Sequence, residues 1–403
     1  MRPNLRHLQC FREIVRLGSL SAAARAMHLS QPAMTQAMAG LESHFGARLL
    51  IRRSGGVTAT QAGDICRVRI DRALGQLRDA LAESRGTDRG DATRFVRSGQ
   101  LDALSAVVEF GNFSVAARAQ RTSQSNVHRS ARALERTLGM TLFEKTSFGV
   151  TATRDAERLA RRVRLAFQEL SQARAEIQAL QGAASGRTVI AALPLARSYL
   201  LPAALLEFSQ AEPQHGVEII DGTYAHLLAG LRSGESDVLI GALRDPLPAA
   251  DVIQEHLFDD PLAIVARANH PLAGRRPTTA SLRKYEWIAP RRGSPLRAHF
   301  DALLASRGMG LPDPSLECNS LGAARAFLLE SNRLMLLSAH QIHYEMAAGL
   351  LVALPHPSGD VMRPIGLTLR RNWRPTAVQE RLLAVLRRVA RAAAASHARV
   401  KSG

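Results

Sequence analysis

Two histidines, His340 and His343, lie three residues apart, a spacing at which imidazoles on one helical turn could bind a metal ion. No third ligand follows at a spacing that would complete such a site, and an ordinary helix explains the pair. The sequence also contains no P-loop, no Gly-x-Ser-x-Gly motif and no Gly-x-Gly-x-x-Gly motif. We therefore predict that the protein is not an enzyme and has no catalytic residues, no metal ion and no cofactor.

The positive charge of the chain is unevenly distributed. The net charge is +18, with 28 basic and 16 acidic residues in 1–186 against 25 and 19 in the remaining 217. This excess predicts a polyanionic partner for the first half, although an arginine-rich composition alone would give the same balance. The three cysteines are far apart and form no CxxC pair, and the sequence has no signal peptide and no apolar run of 18 residues. These features predict a soluble cytoplasmic protein with no membrane partner.

The first half contains an internal repeat. Residues 8–60 align with 101–153 without a gap, and about 20 of those 53 positions are identical. The identities concentrate in three blocks: Gly18–Ala26 with Gly111–Ala119, Leu41-Glu42 with Leu134-Glu135, and Gly56–Thr60 with Gly149–Thr153. Two copies of one domain are predicted.

Each copy has the pattern of three helices and a hairpin. The first helix has apolar residues at three- and four-residue spacing and ends at Gly18 or Gly111. Ser21 and Ser114 are predicted to cap the second helix. Ser30 and Ser123 are predicted to cap the third helix, which should run to Glu42 or Glu135 and be followed by a turn that ends at Gly46 or Gly139. A hairpin follows in each copy, over 49–57 and 142–150.

Four sequence blocks carry a resemblance to a known family. They are GSLSAAARA, SQPAMTQAMAGLE, LLIRR and TATQAG in copy one, with SQSNVHRSARALE and LFEK as counterparts in copy two. The combination resembles the DNA-binding domain of LysR-type transcriptional regulators, here in tandem duplication. The resemblance implies winged helix-turn-helix domains at 1–62 and 98–154.

The resemblance also implies which side chains contact DNA. The third helix would enter the major groove with its first residues on base edges, and the hairpin would lie on the flanking backbone. Glutamine can bind adenine, arginine can bind guanine, and basic wing residues can bind phosphate. The predicted DNA-binding residues are Ser21, Gln31, Pro32, Thr35, Gln36, Arg52 and Arg53 in copy one and Ser114, Gln124, Ser125, His128, Arg129 and Lys145 in copy two.

After residue 186 short apolar segments that read as strands alternate with helical segments, which predicts parallel β-sheet. Two such units follow one another, and the chain then returns to the first through Leu351–Leu354 and Ile365–Arg370. We predict an effector-binding domain at 187–403 with two α/β lobes, one from 187–261 and 352–395 and the other from 262–351. This architecture is like that of periplasmic binding proteins, and it resembles the LysR-type effector domain throughout.

A small-molecule effector is predicted between these lobes. In such sheets ligands lie at strand carboxyl ends and helix amino ends, where free N–H groups face anions. Helix capping would explain the same serines equally well. The candidate effector-binding residues are Arg197, Ser198, Arg292, Gly293, Ser294, Asn319, Ser320 and Ser338.

A seam of apolar residues follows copy two. Its spacing of four and three residues over 155–182 predicts a dimerisation helix that pairs with a second chain. The seam residues are Leu159, Val163, Leu170, Ile177 and Leu180. A shorter seam in the helix 63–84 and a polar linker at 85–97 suggest that copy one is an extra reading head. The alternative, that copy one packs on copy two without touching DNA, stays open.

The sequence therefore predicts a multidomain regulator: two winged helix-turn-helix domains with linker helices, followed by the two-lobed α/β domain. Its predicted partners are double-stranded DNA, an unknown metabolite and itself, as a homodimer or homotetramer, with RNA polymerase as a further candidate. The alternative is a cytoplasmic ligand-binding protein whose helix-turn-helix copies mediate protein contacts only.

Overall fold

In the computed structural model the chain forms two compact units, Met1–Gly186 and Arg187–Gly403. The structure describes residues 3–85, 92–147, 149–183, 186–305, 316–359 and 361–402. Part of the predicted polar linker, 86–91, lies outside these ranges.

The first unit contains the same series of elements twice. The first series is α1 Leu5–Leu17, α2 Leu20–Ala26, α3 Gln31–Phe45, β1 Leu50–Arg53, β2 Gly56–Ala59 and α4 Gln61–Arg85. A 3-10 turn, Ala92–Arg94, precedes the second series. The second series is α5 Ser98–Phe110, α6 Phe113–Ala119, α7 Gln124–Leu138, β3 Phe143–Thr146, β4 Gly149–Ala152 and α8 Arg154–Leu180. Each pair of strands forms an antiparallel hairpin.

Helix ends agree with most of the capping expectations. Gly18 and Gly111 end α1 and α5 with φ of 63° and 60°, a region that glycine enters without strain. The Ser30 and Ser123 hydroxyls accept hydrogen bonds from backbone N–H groups at the starts of α3 and α7. The third helix is one turn longer than predicted in each copy, because Gly46 is itself the C-cap of α3 and Gly139 that of α7.

The prediction that Ser21 and Ser114 cap the second helix was wrong. The caps are Ser19 and Asn112, whose extended backbone lets the side chain accept from the first free N–H groups. Ser21 and Ser114 lie inside the first turn, where their side chains are exposed. Both side chains therefore lie at the surface, where the Ser21 hydroxyl accepts a hydrogen bond from the Gln31 side chain.

Each hairpin is held against the end of the first helix of its own copy. The Val57 N–H donates to the Gly18 carbonyl at 2.8 Å, and Val150 donates to Gly111 at 3.4 Å. A Cβ on Gly56 would lie 2.5 Å from the Gly18 oxygen, so this position tolerates only glycine without a shift of the backbone. This contact fixes the hairpin relative to the helices.

The long helices α4 and α8 pack against each other along their length, and the two copies share one hydrophobic core. Leu159, Val163, Leu170 and Ile177 are each at most 3% exposed within the chain, whereas Leu180 is 46% exposed. The expectation that this seam joins two chains is therefore wrong for these four residues, because their side chains are already buried in the core of the first unit, where α8 packs against α4 and α5 of the same chain. Copy one is packed against copy two and is not a separate domain attached only through the linker.

The second unit is an α/β fold around one mixed sheet. Its elements are β5 Arg187–Ala192, α9 Leu201–Ala211, β6 Gly216–Ile220, α10 Tyr224–Ser233, β7 Val238–Ala242, β8 Val252–Arg267, α11 Thr279–Leu282, β9 Trp287–Ala289, α12 Pro295–Ala305, β10 Leu316–Glu317, α13 Leu321–Leu329, β11 Leu334–Ser338, α14 His343–Ala347, β12 Leu351–Leu354, β13 Val361–Arg370 and α15 Ala377–Ser402. The strand order is β10-β9-β11-β8-β13-β7-β5-β6, with β12 also paired to β8.

Two long antiparallel strands, β8 and β13, connect the two halves of this sheet. Strands β5, β6 and β7 run parallel at one end, and β9, β10 and β11 run parallel at the other. The prediction that Leu351–Leu354 leads the chain back to the first lobe was wrong. These residues form β12, which pairs with Ile264–Arg267 at the end of β8 that belongs to the second lobe. Separate apolar clusters lie under the two halves, which makes each half a lobe with its own core.

Candidate nucleic-acid interface and ligand cleft

The predicted major-groove residues of copy one lie on the solvent-facing side of α3. Gln31, Pro32, Thr35 and Gln36 are exposed, while Met34 on the opposite side is fully buried. The Gln31 side-chain amide donates to the Ser21 hydroxyl at 3.2 Å, which links the starts of α2 and α3. The amide is thereby held at the exposed start of the helix, where a base edge could meet it.

Copy two presents a different set of side chains at the same positions. Gln124, Ser125, His128 and Arg129 are exposed on α7. The His128 ring lies edge-on to Phe113, with ring centroids 5.1 Å apart. The Arg129 Nε donates to the Ser125 carbonyl at 3.4 Å, so part of the guanidinium stays close to the start of α7.

The two hairpins differ in charge. Arg52 and Arg53 are exposed on β1, whereas the matching strand β3 carries Glu144 and Lys145, also exposed. Arg25 and Arg118, at the ends of α2 and α6, add exposed cations that sequence reasoning did not single out, although they match each other in the repeat. Cations beside an exposed helix start are what a phosphate backbone would contact.

A cleft of about 790 Å³ opens in the second unit between its two lobes. Its wall is largely apolar, and much of it is proline and leucine. The larger apolar lining residues are Leu193, Pro194, Leu195, Pro246, Pro248, Pro290, Pro295, Leu296, Leu321, Met335 and Leu337. The same lining contains four arginines, Arg244, Arg291, Arg292 and Arg363, and one acidic residue, Asp245. A small anion with an apolar body fits this chemistry.

Arg244 is held against an aromatic ring in the cleft wall. Its guanidinium lies 4.2 Å from the ring centre of Tyr224. Burial lowers the pKa of Arg244 and raises that of Tyr224, and the charge of the arginine opposes the rise in the tyrosine. Arg244 Nε is buried and has no hydrogen-bond partner among the described residues, and the same is true of Arg363 Nε in the same lining. A ligand oxygen would supply the missing partner.

The predicted effector residues divide into two groups. Arg292, Gly293, Ser294 and Asn319 line the cleft. The other four lie elsewhere: Arg197 pairs with Asp221, Ser198 donates to the Pro194 carbonyl, Ser320 caps α13, and Ser338 is buried against Asp260.

Sequence reasoning missed several lining residues. Thr223 and Tyr224 begin α10, and Arg244 follows the carboxyl end of β7. Because ligands in α/β sheets gather at strand carboxyl ends, the position of Arg244 was a usable signal. Arg363 gave no such signal, since it lies inside the long strand β13.

A buried carboxylate joins the two connecting strands next to the cleft. Asp260 on β8 is 0% exposed and accepts from the Arg363 guanidinium of β13 at 2.7 Å. The same carboxylate contacts the Ser338 hydroxyl and lies 3.0 Å from His340 Nδ1. His340 and His343, the histidine pair of the sequence, both pack on the Tyr199 ring.

Comparison with solved structures shows a shared fold. ArgP from Mycobacterium tuberculosis matches 72% of this chain and 96% of its own length, at 19% identity and a TM-score of 0.55. CbnR, described as a LysR family transcriptional regulator, matches 72% of this chain and 98% of its own, at 20% identity and a TM-score of 0.51. Both proteins therefore match nearly over their full length and leave more than a quarter of this chain without a counterpart.

Two curated relatives differ in how much of this chain they match. The regulator PcaQ of Agrobacterium fabrum is 29% identical over 68% of this chain and 89% of its own length. The regulator GalR of Pseudomonas putida is 32% identical over 96% of this chain and 97% of its own, so its alignment takes in both copies.

Family profiles account for both halves of the sequence. The profile described as bacterial regulatory helix-turn-helix protein, lysR family, matches twice, at residues 5–64 and 98–157. The profile described as LysR substrate binding domain matches residues 181–391. With the exposed reading helices and the cleft between the lobes, these matches show that the chain belongs to the LysR family of transcriptional regulators, which combine a DNA-binding helix-turn-helix with an effector-binding domain.

Proposed function

We propose that both helix-turn-helix copies bind DNA and that a small anion in the cleft controls this binding. The observation that carries the DNA part is the exposure of all the predicted groove residues on both α3 and α7, despite the packing of the two copies on each other. The second unit is the sensor, with two lobes like those of periplasmic binding proteins.

A gel shift on the DNA upstream of the protein's own reading frame tests the proposal. We expect a sequence-specific shift that changes when metabolite extract is added. If no specific DNA is bound under either condition, the helix-turn-helix copies serve protein contacts only and the alternative holds.

Two substitutions in copy one should separate recognition of bases from binding to phosphates. Gln31→Ala should relax base preference at one position, at a cost of about 1–3 kcal/mol for the preferred sequence, because a bidentate contact to a base is lost. Arg52→Ala should weaken binding to all sequences and lower the salt dependence, because a phosphate contact is lost. Quantitative binding to specific and scrambled duplexes at several salt concentrations distinguishes them. Indistinguishable profiles would contradict this assignment.

The sensor proposal rests on the cleft. The wall is apolar and carries four arginines, and two of them, Arg244 and Arg363, have a buried Nε without a hydrogen-bond partner among the described residues; this chemistry favours a small carboxylate or similar anion with an apolar body. Thermal shift of the full-length protein against small carboxylates, with the matching amides as uncharged controls, identifies the class. Stabilisation by the amides as well as by the acids would argue against recognition of charge.

Arg244→Ala should weaken binding of such an anion about tenfold or more, because a charge-assisted hydrogen bond is lost. Arg197→Ala is the matched control, since Arg197 is an exposed arginine outside the cleft lining that pairs with Asp221. Calorimetric titration of both variants checks the prediction. An equal loss of affinity in the two variants would show that the anion does not bind at Arg244.

A further inference from the structure

We propose that a single chain is a complete two-headed DNA reader, whose heads recognise different half-sites. Its DNA site is accordingly an inverted pair of unequal half-sites rather than a palindrome. The inference rests on the proposed DNA-binding function.

The first step is the symmetry of the helix pair. Arg69 of α4 pairs with Glu176 of α8 at 2.6 Å, and Arg162 of α8 pairs with Glu83 of α4 at 3.4 Å. Arg69 and Arg162 are equivalent in the repeat, and so are Glu83 and Glu176. The same contact therefore occurs twice with the roles of the helices exchanged. Two equivalent helices that pair antiparallel in this way are related by an approximate two-fold axis.

A second contact lies on this axis. Leu5 N–H donates to the Ser98 hydroxyl at 3.1 Å, and that hydroxyl donates to the Pro3 carbonyl. Leu5 and Ser98 are also equivalent positions of the repeat. Equivalent residues touch each other only where they meet at a two-fold axis, so the starts of α1 and α5 flank it. The symmetry thus includes the helix-turn-helix copies as well as the long helices.

The consequence concerns α3 and α7. The approximate two-fold axis also relates α3 to α7. The two helices therefore fit two half-sites that lie in inverted orientation on one duplex. Regulators with one such head per chain obtain this arrangement by pairing two chains. Here both heads belong to one polypeptide and share one core.

The centre of the helix pair favours pairing within the chain. Glu169 of α8 contacts both Arg69 and Arg72 of α4 at 2.7–2.8 Å. The position in α8 that corresponds to Arg72 is Leu165, so two α8 helices from different chains would bring two Glu169 carboxylates together without that arginine. The tether between the copies adds a high effective concentration to this preference.

The two heads are not chemically equal. Of the four groove positions, only glutamine is shared, as Gln31 and Gln124; Pro32, Thr35 and Gln36 are replaced by Ser125, His128 and Arg129. Glutamine favours adenine and arginine favours guanine, while a threonine methyl suits thymine. The heads also differ on the hairpin, with Arg52 and Arg53 against Lys145 and Thr146. Different half-sites follow.

The test is selection from a library of random duplexes with the full-length protein. Wild type should enrich two half-sites of different sequence in inverted orientation. The triple variant Ser125→Pro/His128→Thr/Arg129→Gln gives α7 the groove residues of α3, and it should enrich a perfect inverted repeat of one half-site. We expect wild type to bind that repeat about tenfold or more weakly than its own site. Arg276→Gln removes an exposed charge from the second unit and should leave the selected site unchanged.

Stoichiometry supplies the second measurement. Titration of a duplex with one selected site, at concentrations well above the dissociation constant, should saturate at one chain per duplex in any oligomeric state. Two chains per duplex, a palindrome selected by wild type, or a single half-site unaffected by the triple variant would each overturn the inference while the proposed function stands. If the library yields no enriched sequence, the proposed function itself fails.

Discussion

Arg69→Ala is expected to destabilise the first unit by about 3–5 kcal/mol, because it breaks a buried ion-pair network and leaves Glu169 under-compensated. The Arg69 side chain is 1% exposed and donates to Glu169, Gln172 and Glu176. Burial on its own would lower the pKa of Arg69, but the hydrogen bonds and charges of Glu176 and Glu169 raise it above the ordinary value. The guanidinium is therefore charged, and its removal leaves acidic partners behind.

Arg162→Ala is the matched control, since the repeat places Arg162 at the equivalent position of α8. Its side chain is 42% exposed and the pair with Glu83 is long, so its loss should cost under about 1 kcal/mol. Because the two units need not unfold together, hydrogen exchange of the α4 and α8 amides is the suitable measurement. We expect much faster exchange only in Arg69→Ala, together with loss of binding to the two-half-site duplex. Similar exchange in both variants would mean that the network does not hold the copies together.

The elements within each copy were predictable because their signals are local. Glycines at helix ends, serines at helix starts and the repeat itself are visible in short stretches of sequence. The wrong caps, Ser21 and Ser114, show the limit: Ser19 and Asn112 are equally good caps two residues earlier, and only the backbone conformation decides between them. Element type followed from sequence, whereas the choice between neighbouring capping residues did not.

The partner of the α8 seam was not predictable from the seam. A pattern of apolar residues at four and three residues defines the buried face of a helix but not the helix that covers it. The shorter seam of α4, with Ile70, Leu74 and Leu77, is nevertheless fully buried in the structure. The charges were more informative, because Arg69, Glu83, Arg162 and Glu176 recur in the repeat and can satisfy each other only in an antiparallel pair.

The sequence predicted a ligand cleft between two lobes, but it identified only some of the residues that line it. The loop that contains Arg292 and Ser294 and the residue Asn319 follow strand ends in one lobe, which is the signal that the sequence offers. The opposite wall depends on how the lobes face each other across β8 and β13. Strand β8 was not recognised, since its 16 residues mix charged side chains with apolar ones and include Pro261.

Asp260→Ala is expected to destabilise the second unit by about 3–5 kcal/mol, because the Arg363 guanidinium, whose side chain is 9% exposed, would lose its carboxylate. The same carboxylate contacts Ser338 and His340, so the variant would also loosen the end of β11. Asp259→Ala is the control in the adjacent position: Asp259 is exposed and pairs with His256, and its loss should cost under about 1 kcal/mol.

The position of this ion pair links stability to ligand binding. Arg363 lines the cleft and, among the described residues, its Nε has no hydrogen-bond partner, so an anionic ligand and Asp260 address the same guanidinium. Asp260→Asn retains the side-chain shape but removes the charge that opposes an anion. We expect Asp260→Asn to be less destabilised than Asp260→Ala and to bind the carboxylate found by thermal shift at least as tightly as wild type. Calorimetric titration together with urea unfolding measures both effects. Weaker binding of that carboxylate by Asp260→Asn would show that Arg363 does not face the ligand and that Asp260 acts only on the fold.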